Sequence, residues 1–485
     1  MAGTRASQIN VPLHRVARIC SVMLFALLAH ITFVQAFGSQ RLNADRRNER
    51  PLIARFGHPR GDILTYDGTP IATSRPTGGG PYRFRRAYKD GELYAAVTGH
   101  VSLHRTTGIE QAQEAVLSGE DPKVKVRSLV RDGAVKGADV RLTISDRAQW
   151  AAYQSLKATG IPGAAVAVNP ATGAVLALAT YPTYDPNALA TFDRARLAEV
   201  TRRLRLAPSQ PLLNRALNQL YPPGATFKLV TAAAALASGE YTPSALVDAP
   251  ARLQLPGTPT YLQNAGGGAC GNARPTLTYA FQVSCNTAFA NIGLQLGQDL
   301  LRDQAEAFGF NAAHLTIPLA ATTSRYPLAM DRPQTALSAI GHHENRVTPL
   351  MVAMMSAAVA NNGVLMRPYL VEEVRLADGS VINRAGPVPY RRTMSPALAR
   401  YLAAMMTTVT HAGGTGAGAA IPGVEVAAKT ATSADVPGMG DHALVTAFAP
   451  ADAPEVAVGV VLERPGDRAN EVAPIARAII EAALS

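Results

Sequence analysis

The sequence predicts an α/β protein in which a sheet lies between layers of helices, behind one segment that spans a membrane. Three observations predict this. An apolar run lies near the N-terminus, apolar strand-like segments lie at both ends of the last two thirds of the chain, and apolar helical segments lie between them. With 485 residues, of which 47% are hydrophobic and 17% charged, the chain has enough apolar content for two or three domains.

The apolar run extends from Ile19 to Phe37 and is long enough to cross a bilayer once as a helix. Arginines lie on both sides of it, so positive charge alone does not set its orientation. The sequence Val34-Gln35-Ala36 also fits a signal-peptidase site, which would make the run a cleaved signal. We favour an anchor, with residues 1–37 forming a cytoplasmic tail and a transmembrane helix. On this prediction the chain is a single-pass protein of the cell membrane, and its main part is extracytoplasmic.

Residues 38–145 are predicted to form an extended, strand-rich module. Short strand-like pieces alternate with turns, and helical periodicity is weak. The pieces are Arg60 to Thr65, Ile71 to Thr73 and Val140 to Ile144, with loops at Gly78 to Pro81 and Gly133 to Gly137.

Residues 146–485 are predicted to form the main domain. A capped helix from Asp146 to Ala158 is followed by a hairpin with arms Ala164–Val168 and Ala174–Leu178. Both arms are apolar throughout, so we expect helices on both faces of the sheet. The remaining elements are a strand from Glu455 to Glu463 and helices at Gln334 to Ile340, Pro349 to Ala360 and Glu471 to Leu484.

Lys228 stands out in an apolar, Ala-rich stretch from Tyr221 to Ser238 that predicts a buried helix. A buried ammonium group needs a partner or a lowered pKa, and a lysine that gives up its proton can act as a base. The position one turn earlier on the same face, where a nucleophile would stand, is Ala225.

One class of serine acyltransferases shares three short motifs in the order S-x-x-K, S-x-N and K-T-G. This chain has three corresponding stretches in the same order, and the first and third of them are altered. They are Ala225-Thr226-Phe227-Lys228, Ser284-Cys285-Asn286 and Lys429-Thr430-Ala431. Each alone is unspecific, since a helix lysine usually snorkels and S-x-N is usually a turn or cap. Seven of the 46 basic residues are lysines, and after Lys157 only Lys228 and Lys429 remain. Because lysine can deprotonate and arginine cannot, this distribution favours an acid–base role for both.

With these motifs, the chain resembles a class B penicillin-binding protein of the penicillin-binding protein A type, from the membrane segment to the last helix. Further matching stretches are Arg60-Gly61-Asp62-Ile63, Leu213-Asn214-Arg215-Ala216, Tyr221-Pro222-Pro223-Gly224, Asp331 to Ala336, Val347-Thr348-Pro349-Leu350 and Ala427-Ala428-Lys429-Thr430. The resemblance implies a single-span membrane protein with a noncatalytic dimerisation or pedestal module at residues 38–145 and a penicillin-binding transpeptidase domain at residues 146–485. Such proteins cross-link peptidoglycan through stem peptides ending in D-Ala-D-Ala, and β-lactams acylate them.

The resemblance also implies roles for the site residues. Lys228 would take the proton of a serine at position 225, while Ser284 and Asn286 would shuttle a proton and hold the substrate amide. Lys429 and Thr430 would face the substrate carboxylate, on a substrate-binding strand that includes Ala431 and Thr432. Backbone N–H groups, one of them at position 225, would hold the oxyanion. The implied partners are stem peptides or their lipid-linked precursor, other cell-wall or division proteins, and the cytoplasmic membrane. No cofactor is implied.

Three departures from the family pattern bear on activity. Ala225 replaces the serine, Ala431 replaces the glycine of the third motif, and Leu444-Val445 stands where the family usually has Trp-Phe. Two hypotheses follow. The chain is a catalytically silent homologue that works by binding or scaffolding, or it is a D,D-transpeptidase with an inactivating, engineered or compensated Ser→Ala change. An exported β-lactamase is disfavoured because it needs the same serine.

Other features limit the alternatives. Cys270 and Cys285 are a candidate disulfide pair in an oxidising compartment, or else two unpaired buried thiols. The net charge of +11 is spread along the chain without basic runs, so we expect no nucleic-acid partner. The sequence His342-His343-Glu344 has no third ligand spaced to join it, so we expect no metal site there.

Overall fold

The structure is a computed structural model, and it describes residues 5–35, 49–129, 136–313, 317–433 and 440–485. Contacts divide the chain into two compact units, Met1–His58 with Thr77–Phe84, and Pro59–Pro76 with Arg85–Ser485. The first unit contains α1 (Arg5–Phe33) and α2 (Arg50–Arg55).

Within α1, the segment Leu13–Phe33 is apolar and long enough to cross a membrane, and none of it is buried. It fits the predicted single-pass anchor, although it begins six residues before the predicted start at Ile19. The predicted end of the span at Phe37, Ala36 of the alternative cleavage site and the boundary between residues 37 and 38 lie outside the described residues.

The region between the anchor and residue 145 is rich in short strands, as predicted, but its described residues also contain α2 and four further helices, all of which the prediction misses. These elements are β1 (Ile63–Leu64), β2 (Pro70–Pro76), β3 (Phe84–Tyr88), α3 (Gly91–Thr98), α4 (Gly108–Ala112), α5 (Glu114–Ser118), α6 (Pro122–Leu129) and β4 (Asp139–Leu142). The longest of these helices has eight residues, too few for stability in isolation. Buried side chains such as Leu93, Ile109 and Leu117 hold them instead. Residues 133–135 of the predicted loop lie outside the described residues.

Arg60 of the Arg60-Gly61-Asp62-Ile63 stretch takes part in a buried ion-pair cluster. Arg60 Nη2 lies 3.0 Å from Glu110 Oε2, and Arg86 Nε lies 2.5 Å from Glu110 Oε1. Although burial opposes ionisation, the charges of both arginines hold the pKa of Glu110 below its usual value. The cluster ties β3 and α4 to the start of the module.

The rest of the chain alternates strands and helices. Its elements are α7 (Asp146–Thr159), β5 (Gly163–Val168), β6 (Val175–Tyr181), α8 (Arg194–Leu206), α9 (Arg215–Asn218), α10 (Lys228–Ser238), β7 (Arg252–Gln254), β8 (Tyr261–Gln263), α11 (Leu277–Gln282), α12 (Asn286–Ala307, broken at Gly297), α13 (Arg332–Ser338), α14 (Pro349–Ala360), β9 (Val364–Met366), β10 (Val371–Arg375), β11 (Val381–Arg384), β12 (Pro389–Arg392), α15 (Pro396–Thr407), β13 (Ala427–Ser433), β14 (His442–Ala449), β15 (Val456–Leu462) and α16 (Val472–Leu484). The predicted helices and strands of this part are confirmed to within a few residues.

The central sheet has the order β13-β14-β15-β5-β6, and all four strand pairs are antiparallel. Every residue of β5, β14 and β15 is buried, so helices cover both faces, as predicted. On one face α14 packs closely, because Thr446 Oγ1 donates to the Val352 carbonyl at 2.6 Å. Gly459 permits this approach, since a Cβ there would lie 2.3 Å from the Ala353 nitrogen. Helices α7 and α16 pack against each other and against strands of this sheet.

A second sheet has the order β11-β10-β4-β1-β2-β3. Its strands β10 and β11 come from the chain after α14, so one part of the predicted main domain completes the sheet of the preceding module. The predicted boundary between residues 145 and 146 remains a prediction.

Candidate active site

A short 3₁₀ turn, Gly224–Phe227, presents position 225 at the start of α10. Gly224 has φ +50°, and its N–H donates to the Gly341 carbonyl at 3.1 Å. A Cβ on Gly224 would lie 2.8 Å from Ser433 Cβ and 2.9 Å from the Thr432 oxygen, so the turn lies directly against β13. Ala225 is half-buried in this turn. A 3₁₀-helix has about three residues per turn, so positions 225 and 228 lie on the same face. The prediction placed them on one face of an α-helix.

Lys228 connects the first motif to the second. Its side chain is fully buried, and its Nζ donates to the Ser284 carbonyl and to Asn286 Oδ1, each at 2.6 Å. Ser284 Oγ lies 3.3 Å from the same Nζ. Among the described residues, no carboxylate pairs with it. Burial, together with the charge of Lys429, lowers the pKa of Lys228 well below its ordinary value. A neutral amine there is a competent base.

Ser284 sits in a constrained segment. Its φ is +59°, a conformation that non-glycine residues adopt rarely. The next residue, Cys285, forms a disulfide with Cys270. Asn264 Oδ1 accepts from Thr287 N at 2.9 Å, and Asn286 Nδ2 donates to the Gln263 carbonyl at 3.1 Å. These bonds fix the second motif from both sides.

Lys429 on β13 completes the cluster. It is fully buried, and its Nζ donates to Ser284 Oγ at 2.9 Å and to the Thr430 carbonyl at 3.2 Å. Burial lowers the pKa of Lys429 to about 7. Ser284 Oγ therefore lies between two buried amines.

The rest of β13 forms the edge of the central sheet next to this cluster. Thr430 Oγ1 donates to Thr415 Oγ1 at 2.7 Å, and the Thr432 side chain is exposed. Ala431 is 7% exposed, and its methyl group lies 3.3 Å from the Cβ position of Gly224.

All residues predicted for the site thus come together in space, but neither Thr226 nor Ser433 is placed to replace the serine. Thr226 is buried, and its Oγ1 donates to the Pro223 carbonyl at 2.7 Å. Ser433 is buried, and its Oγ makes no hydrogen bond to any described residue, so it has no base.

Sequence reasoning missed the surroundings of the lysines. The ring of Phe289 lies 5.8 Å from Lys228 Nζ, and the ring of Phe281 lies 5.5 Å from Lys429 Nζ. Asn264 and Thr415 were also missed. The phenylalanines flank the second motif at helical spacing, a pattern that signals only a core helix. His342 lies near the site, since burial and the charge of Lys228 lower its pKa. Among the described residues, no group of three His, Cys, Asp or Glu side chains is arranged to hold a metal ion.

The arrangement matches known proteins. Residues 163–481 match the model of the penicillin binding protein transpeptidase domain. The chain belongs to this family. Residues 60–140 match the penicillin binding protein A dimerisation domain, which makes the chain a class B penicillin-binding protein of the A type.

Full-length relatives support the same assignment. The chain is 40% identical to the peptidoglycan D,D-transpeptidase PbpA of Mycolicibacterium smegmatis, with 98% of this chain and 99% of the relative covered. It is 39% identical to PbpA of Mycobacterium tuberculosis H37Rv over the same shares of the two chains.

Solved structures confirm the fold. Penicillin-binding protein A of M. tuberculosis, as its ceftriaxone acyl-enzyme complex, superposes with a TM-score of 0.86 at 37% identity, covering 89% of this chain and 100% of that one. Its penicillin G acyl-enzyme complex gives a TM-score of 0.83 at 37% identity, covering 88% and 100%. The family places this penicillin-binding protein in cell-wall peptidoglycan synthesis, and α1 fits its membrane anchor.

Proposed function

We propose that this penicillin-binding protein is catalytically silent and acts in peptidoglycan synthesis by binding or scaffolding. One observation carries the proposal. Ala225 occupies the nucleophile position of a site in which Lys228, Ser284, Asn286 and Lys429 are otherwise joined by short hydrogen bonds.

The missing atom is the oxygen that would attack the substrate carbonyl. In the family reaction a serine at position 225 gives its proton to Lys228 and forms an acyl-enzyme with release of D-alanine. Ala225 offers only a methyl group, so no ester can form there. In the serine protease subtilisin, removal of the serine nucleophile lowers kcat by about a million-fold.

Binding needs less than catalysis, and the remaining groups support it. Lys429 and Thr430 supply an amine and a hydroxyl that can donate hydrogen bonds to the carboxylate of a stem peptide ending in D-Ala-D-Ala. Thr430 would exchange its hydrogen bond to Thr415 for that ligand. Asn286 supplies an amide group beside Lys228. The same groups would hold a lipid-linked precursor, with the main domain outside the membrane and cell-wall or division proteins as neighbours.

A second candidate is a D,D-transpeptidase in which another group compensates for the Ser→Ala change. The position of Ser284 favours it, because its Oγ lies 3.3 Å from Lys228 Nζ and 2.9 Å from Lys429 Nζ. Both amines have lowered pKa values, so either can take the hydroxyl proton. The strained φ of Ser284 and its bonds to both lysines hold it at the second motif rather than at position 225.

Labelling with a fluorescent penicillin distinguishes the two. The unaltered full chain should not be labelled. The variant Ala225→Ser and the double variant Ala225→Ser with Ala431→Gly should both be labelled. Adding Lys228→Met to Ala225→Ser is the matched control, since it keeps the serine and removes its base. Covalent labelling of the unaltered chain that Ser284→Ala abolishes would establish the compensated enzyme. If neither the chain nor the folded revertants label, the site is not a silenced transpeptidase.

A further inference from the structure

Two adjoining cavities lie outside the candidate active site, with volumes of about 530 and 590 Å³. They share four lining residues, Arg105, Thr107, Tyr184 and Leu212, so they lie side by side. We call the pair the trough. It contains none of the motif residues.

Two residues that line the first cavity, Thr183 and Asn214, each carry a buried polar atom without a partner among the described residues. Asn214 Nδ2 donates to the Ala96 carbonyl at 2.8 Å, which fixes the amide and leaves Oδ1 as the unused atom. Neither Asn214 Oδ1 nor Thr183 Oγ1 makes a hydrogen bond to any described residue. Leaving such a group unpaired costs about 1–3 kcal/mol. Both atoms can accept hydrogen bonds from N–H groups of a ligand.

The second cavity has an apolar floor. Leu189 and Leu197 are buried beneath it, and Leu212 stands at the junction of the two cavities. At its edge Leu206 is 72% exposed, an unusual position for a large aliphatic side chain at the end of a helix. The floor is suited to aliphatic side chains of a partner.

Arginines surround this apolar floor. Arg202 and Arg205 from α8 and Arg105 from the preceding loop line the cavity and are exposed. None of the three forms an ion pair with a described residue. Helix α8 also carries Arg196 and Arg203 on its exposed side, against a single acidic residue within the helix. The local field therefore favours carboxylates.

We propose that the trough binds an acidic segment of a partner protein. Its carboxylates pair with Arg105, Arg202 and Arg205, its aliphatic side chains cover the leucine floor, and its N–H groups donate to Asn214 Oδ1 and Thr183 Oγ1. This binding is independent of position 225.

The charge and composition of the trough argue against other occupants. A second copy of this chain brings a pI near 9.7 and the same cationic helix, so like charges oppose it. A nucleic acid would need several exposed aromatic rings for stacking, and of the aromatic rings lining the trough Tyr184 and His100 are buried, which leaves His104 exposed. A phospholipid headgroup would neutralise the arginines but would not use the leucine floor together with the buried acceptors.

The test uses the full chain in neutral phosphatidylcholine nanodiscs and a fluorescein-labelled 12-residue peptide of alternating Leu and Glu, followed by fluorescence anisotropy. The peptide should bind, and versions with Ser for Leu or Lys for Glu should bind at least about tenfold more weakly. Arg202→Glu with Arg205→Glu should weaken binding at least about tenfold. The matched control is Arg147→Glu with Arg400→Glu, which changes the net charge equally on two helices that do not line the trough and should change the Kd less than about twofold.

Thr183→Val tests the buried acceptor. Because the Thr183 hydroxyl has no partner, the Tm should stay the same or rise, while the peptide should bind roughly three- to tenfold more weakly. Equal weakening by the trough and control variants, or equal binding of the Ser-containing peptide, would overturn the proposal. So would competition by phosphatidylglycerol vesicles or a 20-residue oligothymidine at the peptide's own affinity, since the surface would then be a general anion site.

Discussion

The two buried lysines should make the stability of this penicillin-binding protein depend on pH in a specific direction. Burial lowers the pKa of Lys429 from its ordinary value of 10.5 to about 7. Between pH 7 and 10.5 the unfolded chain holds a proton that the folded chain has lost, so the free energy of unfolding rises with pH. Below about pH 7 both states are protonated, and this gain is absent. Lys228, whose pKa is also lowered, acts in the same direction.

The size of the effect follows from one proton. Each pH unit within the window is worth about 1.4 kcal/mol, so the gain from pH 7 to 9 is about 2–3 kcal/mol. The substitution Lys429→Met removes the titrating amine and replaces it with an uncharged side chain of similar size. The difference in Tm between the unaltered chain and this variant should therefore shift by a few °C in favour of the unaltered chain over that range.

Thermal unfolding at pH 6.5, 7.5, 8.5 and 9.5 measures this difference. Lys123→Met is the control, because Lys123 is exposed on α6, and its Tm curve should run parallel to that of the unaltered chain. If the Lys429→Met curve is also parallel from pH 7 to 9, Lys429 is charged in the folded site, and the argument that both lysines are poised as bases fails.

Three further predictions concern stability and are checked by thermal or urea unfolding. Glu110→Gln should cost about 3–5 kcal/mol, because it leaves the buried charge of Arg86 without its carboxylate and leaves Arg60 paired with Glu114 alone. Removing the disulfide by Cys270→Ala with Cys285→Ala should cost about 3 kcal/mol for a separation of 15 residues, and a reducing agent should then lower the Tm of the unaltered chain alone. Gly224→Ala should cost more than Gly257→Ala. Both glycines have positive φ, but only a Cβ on Gly224 would meet β13.

The sequence was most informative where a chemical requirement restricts the residue type. Burying a lysine in an Ala-rich helix costs free energy, so the sequence identified Lys228 as a site residue. Lys429 was identified because lysine is scarce in the rest of the chain. The structure places both on Ser284, as the motif order predicts. The roles assigned to these residues, and those of Thr430, Ala431 and Thr432, remain predictions.

The central sheet was predictable for a related reason. Strands buried on both faces need continuous apolar runs, and β5, β6 and β15 have them. Helices α3 to α6 were not predictable, because helices of eight residues or fewer leave little periodicity and depend on tertiary packing. The joining of β10 and β11 to the sheet of the N-terminal module was likewise invisible, since strand pairing over such separations has no local signal.

The two buried amines bear on whether the site, silent in catalysis as we propose, still binds a ligand. Two desolvated lysines destabilise the folded chain at neutral pH, and a serine in a left-handed conformation adds strain. Neither feature helps folding, and apolar side chains of similar size would fill the same space at lower cost. In an active transpeptidase, catalysis accounts for this arrangement. In a chain with Ala225, we propose ligand binding as the role of Lys429, Ser284 and Asn286, because each presents a hydrogen-bonding group beside the edge strand β13. If Lys429→Met raises stability at pH 7 and weakens binding of a D-Ala-D-Ala peptide, Lys429 lowers the stability of the folded chain and contributes to ligand binding. If the variant raises stability and leaves the affinity unchanged, Lys429 does not contribute to binding of the peptide.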